Sequence, residues 1–228
     1  MRFLLATILA SGLLSAAASQ PKAELTAGEK KLFDLVTKAG GTAEVDPRLP
    51  EKARVVAKFD TVTARMLYDL KKAPPLGALE VLDMSGCSDQ GYEQLKGFPN
   101  LRRLTAGKSN LTAPRVASIG QCKELRELFL GGAGLSDAEL RGLARLKLLE
   151  SLDLSDNPGV TDKGMPAVAA LERLRTLNLS KTGVTDKGLV QLKKLDGLRT
   201  VIVVGTEVTG DGAEQFADEM PNLRGVRR

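Results

Sequence analysis

The chain repeats itself at a nearly fixed interval. Taking as a ruler the hydroxyl residue that follows an apolar one, the sequence returns to Thr63, Ser88, Thr112, Ser136, Thr161, Thr185 and Thr209, at steps of 25, 24, 24, 25, 24 and 24 residues. A period of this length means stacked copies of one small unit, and it outranks every other feature in deciding the fold. Columns on either side fall into register. The residue before the ruler is Val62, Cys87, Leu111, Leu135, Val160, Val184 or Val208. Four residues after it stand Leu67, Tyr92, Val116, Leu140, Met165, Leu189 and Ala213, and seven after it Leu70, Leu95, Ile119, Leu143, Val168, Leu192 and Phe216. Ten after it come Ala73, Phe98, Cys122, Leu146, Leu171 and Leu195, and then Glu219 breaks the column.

Each unit carries two periodicities. Leu125-x-x-Leu128-x-Leu130, Leu149-x-x-Leu152-x-Leu154 and Leu174-x-x-Leu177-x-Leu179 end in the apolar–polar alternation of a half-buried strand. After the ruler, apolar residues step by three, as in Leu189, Leu192 and Leu195, which suits a short helix with one buried stripe. Neither piece buries its face alone, so copies must stack, with parallel strands on one side and helices on the other. Aromatic residues make up 4% of the chain and Trp is absent, so the shared core must be aliphatic. Pro74-Pro75 and the short gap before Leu79 read as an irregular step, with the strand of that unit phased from Leu79.

Several recurring polar residues sit where a catalytic motif would, yet read as structure. The hydroxyl of Ser88-Asp89, Ser136-Asp137, Thr161-Asp162 and Thr185-Asp186 opens each helix and can cap free backbone N–H groups, while the carboxylate complements the helix dipole. Gly91, Gly164, Gly188 and Gly212 then let adjacent coils approach. The Asp column is interrupted by Thr112-Ala113 and Thr209-Gly210, so it does not read as a calcium ladder, and no metal or cofactor is expected.

These units resemble leucine-rich repeats, of the kind reading L-x-x-L-x-L-x-x-[T/N/C]-x-V-T-D-x-G-L, which occur in exported bacterial proteins and joined to F-box domains in eukaryotes. The resemblance covers roughly residues 54–226. It implies an α/β leucine-rich-repeat solenoid of about seven units, curved, with parallel strands on the concave face and short helices on the convex face. It also implies that the concave face binds partners, usually proteins.

The ends depart from the pattern. Arg2, the apolar run from Phe3 to Leu14 and the small residues Ala16-Ala17-Ala18 read as a secretory signal peptide over residues 1–18. An uncleaved anchor is the competing reading, although the apolar stretch is shorter than the ~20 residues of a membrane-spanning helix. The mature chain is therefore expected in the periplasm or outside the cell, and ubiquitin-ligase roles do not carry over. Residues 19–53 form a linker and N-terminal cap, with a helix over 24–39 that begins with the capping box Thr26-x-x-Glu29 and ends at Gly40-Gly41. The repeat domain occupies 54–228. Leu223-Arg-Gly-Val226 looks like another strand, whose open edge offers a route to self-association.

Between the buried positions of each strand lie two outward columns. One runs Asp83, Thr105, Phe129, Asp153, Asn178, Ile202, and the other Val81, Arg103, Glu127, Ser151, Thr176, Thr200. Their contents vary while the framework does not, as on a binding surface grafted onto a scaffold. The candidate partner-binding residues are Arg103, Glu127, Phe129, Asp153 and Asn178. Phe129 stands out, because aromatic residues are over-represented among interface hot spots; the plainer reading is that its ring folds over the rim of the sheet. A further column, Arg102, Arg126, Arg175, Arg199 and Arg224, interrupted by Glu80 and Glu150, either meets an anionic polymer or is a solvated rim.

Two functions follow in order: an exported module recognising a protein or peptide, and a cell-envelope protein holding an anionic polysaccharide through its Arg rim. Catalysis finds no footing. With no His there is no ready general base, the outward carboxylates Asp153 and Asp156 stand on an open face, and Cys87 and Cys122 fall in core columns as two free, buried thiols. The net charge of +5 is scattered along the chain and there are no aromatic stacking platforms, which speaks against a nucleic-acid partner.

Overall fold

The computed structural model describes residues 24–72 and 76–228. The expected signal peptide over 1–18 and the residues 73–75 lie outside the described residues. Among the described residues nine strands form one sheet in chain order: β1 (Thr42–Val45), β2 (Val55–Thr61), β3 (Leu76–Asp83), β4 (Arg103–Ala106), β5 (Glu127–Phe129), β6 (Ser151–Asp153), β7 (Thr176–Asn178), β8 (Thr200–Ile202) and β9 (Val226–Arg227). From β2 onward every pairing is parallel, and only β1 runs antiparallel to its neighbour.

The helical layer holds α2 (Ala64–Leu70), α3 (Asp89–Glu93), α4 (Ala113–Ile119), α5 (Asp137–Leu140), α6 (Met165–Ala169), α7 (Asp186–Gln191) and α8 (Gly210–Asp218), several of them flanked by a 3-10 turn. Helices this short are not stable alone. They persist because the apolar residues four and seven positions after the ruler, such as Leu189 and Leu192, close on the sheet with no exposed surface. One continuous core runs from Leu32 to Met220, and Leu104, Leu128, Leu152, Leu177 and Val201 form an unbroken row along it.

Two phases of the repeat need correction. In the first strand unit, Leu79 pairs with Leu104 and Val81 with Ala106, and both Leu79 and Val81 are fully buried. The unit is thus phased from Leu76, as Leu76-x-x-Leu79-x-Val81, three residues earlier than expected. Val81 leaves the outward column for the core, Asp83 pairs with Thr61, and Ala78 and Glu80 take the outward places. The interval from Ala73 to Leu76 then equals that from Leu195 to Leu198, so the spacing of this unit is regular in the sequence. The error arose because Leu79-x-x-Leu82-x-Met84 satisfies the same apolar spacing. At the other end, α8 is nine residues long, and Met220, one place beyond Glu219, fills the core slot at 3% exposure.

Neighbouring coils lock together through the Thr-Asp-x-Gly motif. Asp137 accepts from the backbone N–H of Thr161 at 2.7 Å and from its hydroxyl at 2.7 Å; Asp162 does the same for Thr185, and Asp186 for Thr209. The Thr hydroxyl in turn accepts from its own helix, as from Lys187 N–H at 3.2 Å. A β-carbon at Gly164 would stand 2.6 Å from the Asp137 carboxylate, and one at Gly188 or Gly212 closer still to Asp162 or Asp186. The glycine exists because the previous coil's aspartate occupies its side-chain space. Where Ala113 replaces the aspartate the lock is missing, and Ser136 instead forms a capping box with Glu139.

The N-terminal cap is more elaborate than one helix. In α1 (Ala27–Lys38) the capping box between Thr26 and Glu29 is formed, and Glu29 also receives Arg54 Nε at 2.7 Å, tying the helix to β2. The Arg54 guanidinium, opposed by partial burial, holds the Glu29 carboxyl at a pKa of about 2. The chain between β1 and β2 then folds across the concave side of the sheet, where Leu49 covers Val56 and Ala78. Among the described residues no helix is long and apolar enough to cross a membrane.

Candidate interaction surface on the concave sheet

Strand alternation decides what the concave face presents. In β5 to β8 the central residue of each strand points into the core, and its two neighbours are partly exposed. Strand pairing sorts those neighbours into two rows, Glu127–Ser151–Thr176–Thr200 and Phe129–Asp153–Asn178–Ile202. Thr105 precedes Phe129 in the second row, and Glu80 precedes Thr105. Neither Phe129 nor Ile202 belongs to the core or packs against it, so both apolar side chains stand on the face itself.

The five expected residues divide into two groups. Arg103 is 7% exposed and is committed within the molecule. Its Nε and Nη2 donate to the Glu127 carboxylate at 2.6 and 3.2 Å, and Nη1 donates to Asp46 at 2.8 Å. Asp46, 6% exposed, also holds the Arg48 guanidinium at 2.8 and 2.9 Å. Arg48, and behind it Arg103, keep the Asp46 carboxyl far below the usual carboxylate range despite its burial. Glu127 in turn raises the Arg103 pKa. Arg103 and Glu127 thus fasten the cap to the sheet, with Glu127 remaining partly exposed. Asp46 and Arg48 were not foreseen; they lie outside the repeat, and Asp46 reaches Arg103 across 57 residues of sequence, where periodicity carries no information.

Phe129, Asp153 and Asn178 stay on the open part of the face. Asp153 accepts from Ser155 N–H at 2.8 Å, and Asn178 Oδ1 accepts from the N–H and hydroxyl of Ser180 at 3.0 and 2.7 Å, so both side chains are oriented by the turn that follows. Asp156, earlier paired with Asp153 as a carboxylate couple, instead meets Lys181 at 2.9 Å. Toward the cap, Lys58 bridges Glu44 at 2.8 Å and Glu80 at 3.5 Å, beside a hollow of about 410 Å³ lined by Thr42, Lys58, Glu80 and Thr105.

The Arg column lies on the turns that enter the strands. Arg126 and Arg175 share Glu150, at 2.7 and 3.8 Å. Arg173 and Arg199 hold no carboxylate among the described residues and, with Arg175, Glu150, Glu172 and Asn222, line a hollow of about 380 Å³. Glu80 leaves this column for the concave face, and Gly77 takes its place, accepting from Arg102 N–H at 2.7 Å. Cys87 and Cys122 are buried and unpaired, and burial pushes the Cys122 thiol up to about 12. Among the described residues no three His, Cys, Asp or Glu side chains come together as a metal-binding group.

Residues 146–169 and 173–193 match the family model of the leucine rich repeat. No curated protein matches the chain. Among solved structures, an internalin C2 of Listeria monocytogenes shares the fold, with a TM-score of 0.54 and 19% sequence identity over 75% of this chain and 79% of that one.

Proposed function

From a chain built of leucine-rich repeats, a fold whose members generally bind proteins or peptides, we propose an exported recognition module that binds a protein or peptide on the concave face of β5 to β8. Phe129, Asp153, Asn178 and the exposed side of Glu127 make the contacts, and Arg103 positions Glu127. The observation that carries this reading is Phe129. A phenylalanine on a sheet face, half-buried, outside the core and framed by polar residues, buries the rest of its ring only when something covers it. The cap covers the first strands and leaves β5 to β8 open, so the available face suits a peptide or loop better than a broad protein surface, which needs ~800 Å² per partner.

Export rests on Arg2, the apolar run and Ala16-Ala17-Ala18, and N-terminal sequencing of the chain recovered from the envelope or medium tests it. Binding is tested by retaining envelope and medium proteins on the immobilised chain beside Phe129→Ala and Asp153→Ala. A partner kept by the parent and lost by both variants, all three melting alike, supports the reading; retention unchanged in both variants overturns it.

One observation favours a second reading. Arg173 and Arg199 stand unpaired around the rim hollow, as a site for an anionic polysaccharide would require. Such binding weakens steeply with salt and is lost in Arg173→Ala, Arg199→Ala, while a contact centred on Phe129 changes little.

A further inference from the structure

We infer that the segment bound on this face is an extended peptide with two apolar side chains four residues apart and a lysine or arginine midway between them. The inference rests on the function proposed above and adds the chemistry of the ligand.

Spacing comes first. Phe129, Asp153, Asn178 and Ile202 stand on four consecutive strands in pairing register. Three inter-strand steps of ~4.8 Å place the two apolar ends roughly 14 Å apart. A peptide laid across the strands in extended form rises ~3.3 Å per residue and turns alternate side chains to the same side. Residues i and i+4 therefore stand ~13 Å apart on one side, matching Phe129 and Ile202, with i+2 between them.

Charge then fixes the middle position. Asp153 and Asn178 lie under residue i+2. The Asp153 carboxylate has one oxygen on Ser155 N–H and no ion pair among the described residues. Glu127, by contrast, is neutralised by Arg103, and Glu80 by Lys58. On a chain whose net charge is +5, the row keeps one uncompensated carboxylate between two apolar ends. A cation at i+2 complements it, whereas an anionic glycan or nucleic acid meets repulsion there. The Asn178 oxygen is occupied by Ser180, which leaves its NH2 as the outward group, a donor suited to a peptide carbonyl. Beside this row Ser151, Thr176 and Thr200 supply a parallel line of partly exposed hydroxyls, each able to donate and accept along a peptide backbone.

The test is a fluorescence-anisotropy titration of the full chain with three labelled seven-residue peptides: Ser-Leu-Ser-Lys-Ser-Leu-Ser, the same with Glu for Lys, and one with the two Leu three residues apart. The first should bind about tenfold or more tighter than the others, the worth of one charge pair or one misplaced anchor. Phe129→Ala and Ile202→Ser should each weaken it, and Asp153→Lys should reverse the preference in favour of the Glu peptide. Indifference to the central charge, or no reversal in Asp153→Lys, overturns the inference. If no peptide binds while Phe129→Ala still abolishes capture of a larger partner, the ligand chemistry is wrong and the face stands. If capture is indifferent to Phe129, the reading of the face fails with it.

Discussion

Asn157 satisfies four backbone groups with one side chain. Its Nδ2 donates toward the carbonyls of Leu130, Leu154 and Ser155 at 2.9, 2.9 and 3.0 Å, and its Oδ1 accepts from Leu135 N–H at 2.9 Å, with Asn157 itself fully buried. The same place in the next two coils is held by Thr182 and Thr206, each donating once to a carbonyl behind it. Leaving buried groups without partners costs ~1–3 kcal/mol each, so Asn157→Ala should lower stability by about 3 kcal/mol and Thr182→Ala by about 1 kcal/mol, read as urea midpoints at unchanged slope. The inter-coil lock makes a second demand. Asp162→Ala and Thr185→Ala should be non-additive, since both remove the hydroxyl–carboxylate bond and only Asp162→Ala also removes the bond from the Thr185 backbone N–H, and Gly188→Ala should destabilise although its backbone is ordinary helix. The Thr, Asp and Gly columns were legible as helix caps and close approach. That one coil's Asp serves the next coil's Thr was not, because a column shows recurrence and not direction. Cys87 and Cys122 were legible as buried thiols from their columns alone. With burial raising both pKa values, neither should react with a thiol reagent at pH 8 before the chain unfolds, which a timed titration with and without urea checks.

At the scale of elements, the cap is held by charge as well as by packing. Glu29 titrates at about 2 when folded against an ordinary 4.5, and Asp46 is depressed below its ordinary 3.8. A carboxyl depressed by folding contributes stability that is complete above its unfolded value and is lost as pH falls through the folded one. The cap should therefore loosen between about pH 4.5 and 2 and be unaffected from pH 5 to 8. Hydrogen exchange over residues 24–53 follows this, and Glu29→Gln should remove part of the pH dependence. Asp46→Ala takes the partner from Arg103 Nη1 while Glu127 still holds Nε and Nη2, and should cost ~1–3 kcal/mol. The capping box and the helix were readable in Thr26 and Glu29. The strap bearing Asp46 and Leu49 was not, since its contacts with Arg103, Val56 and Ala78 belong to no repeat. The phase of β3 failed for a different reason: two overlapping apolar triplets compete there, and only pairing with β4 chooses between them.

For the whole molecule, the repeat made the solenoid legible almost completely, because one period fixes strand direction, helix side and core together. The site was legible in part. Alternation placed Phe129, Asp153 and Asn178 on the open face, but periodicity carries no record of which outward residues the cap consumes, and so Arg103 changes role. The account's central claim is that the face of β5 to β8 receives the partner and that the Arg rim does not. Site-specific photo-crosslinking tests it most directly, with benzoylphenylalanine placed at Thr176 on the face or at Arg199 on the rim and the chain exposed to envelope and medium proteins. The account predicts an adduct from position 176 that Phe129→Ala abolishes, and none from 199. An adduct confined to position 199, or one at 176 indifferent to Phe129, would contradict it.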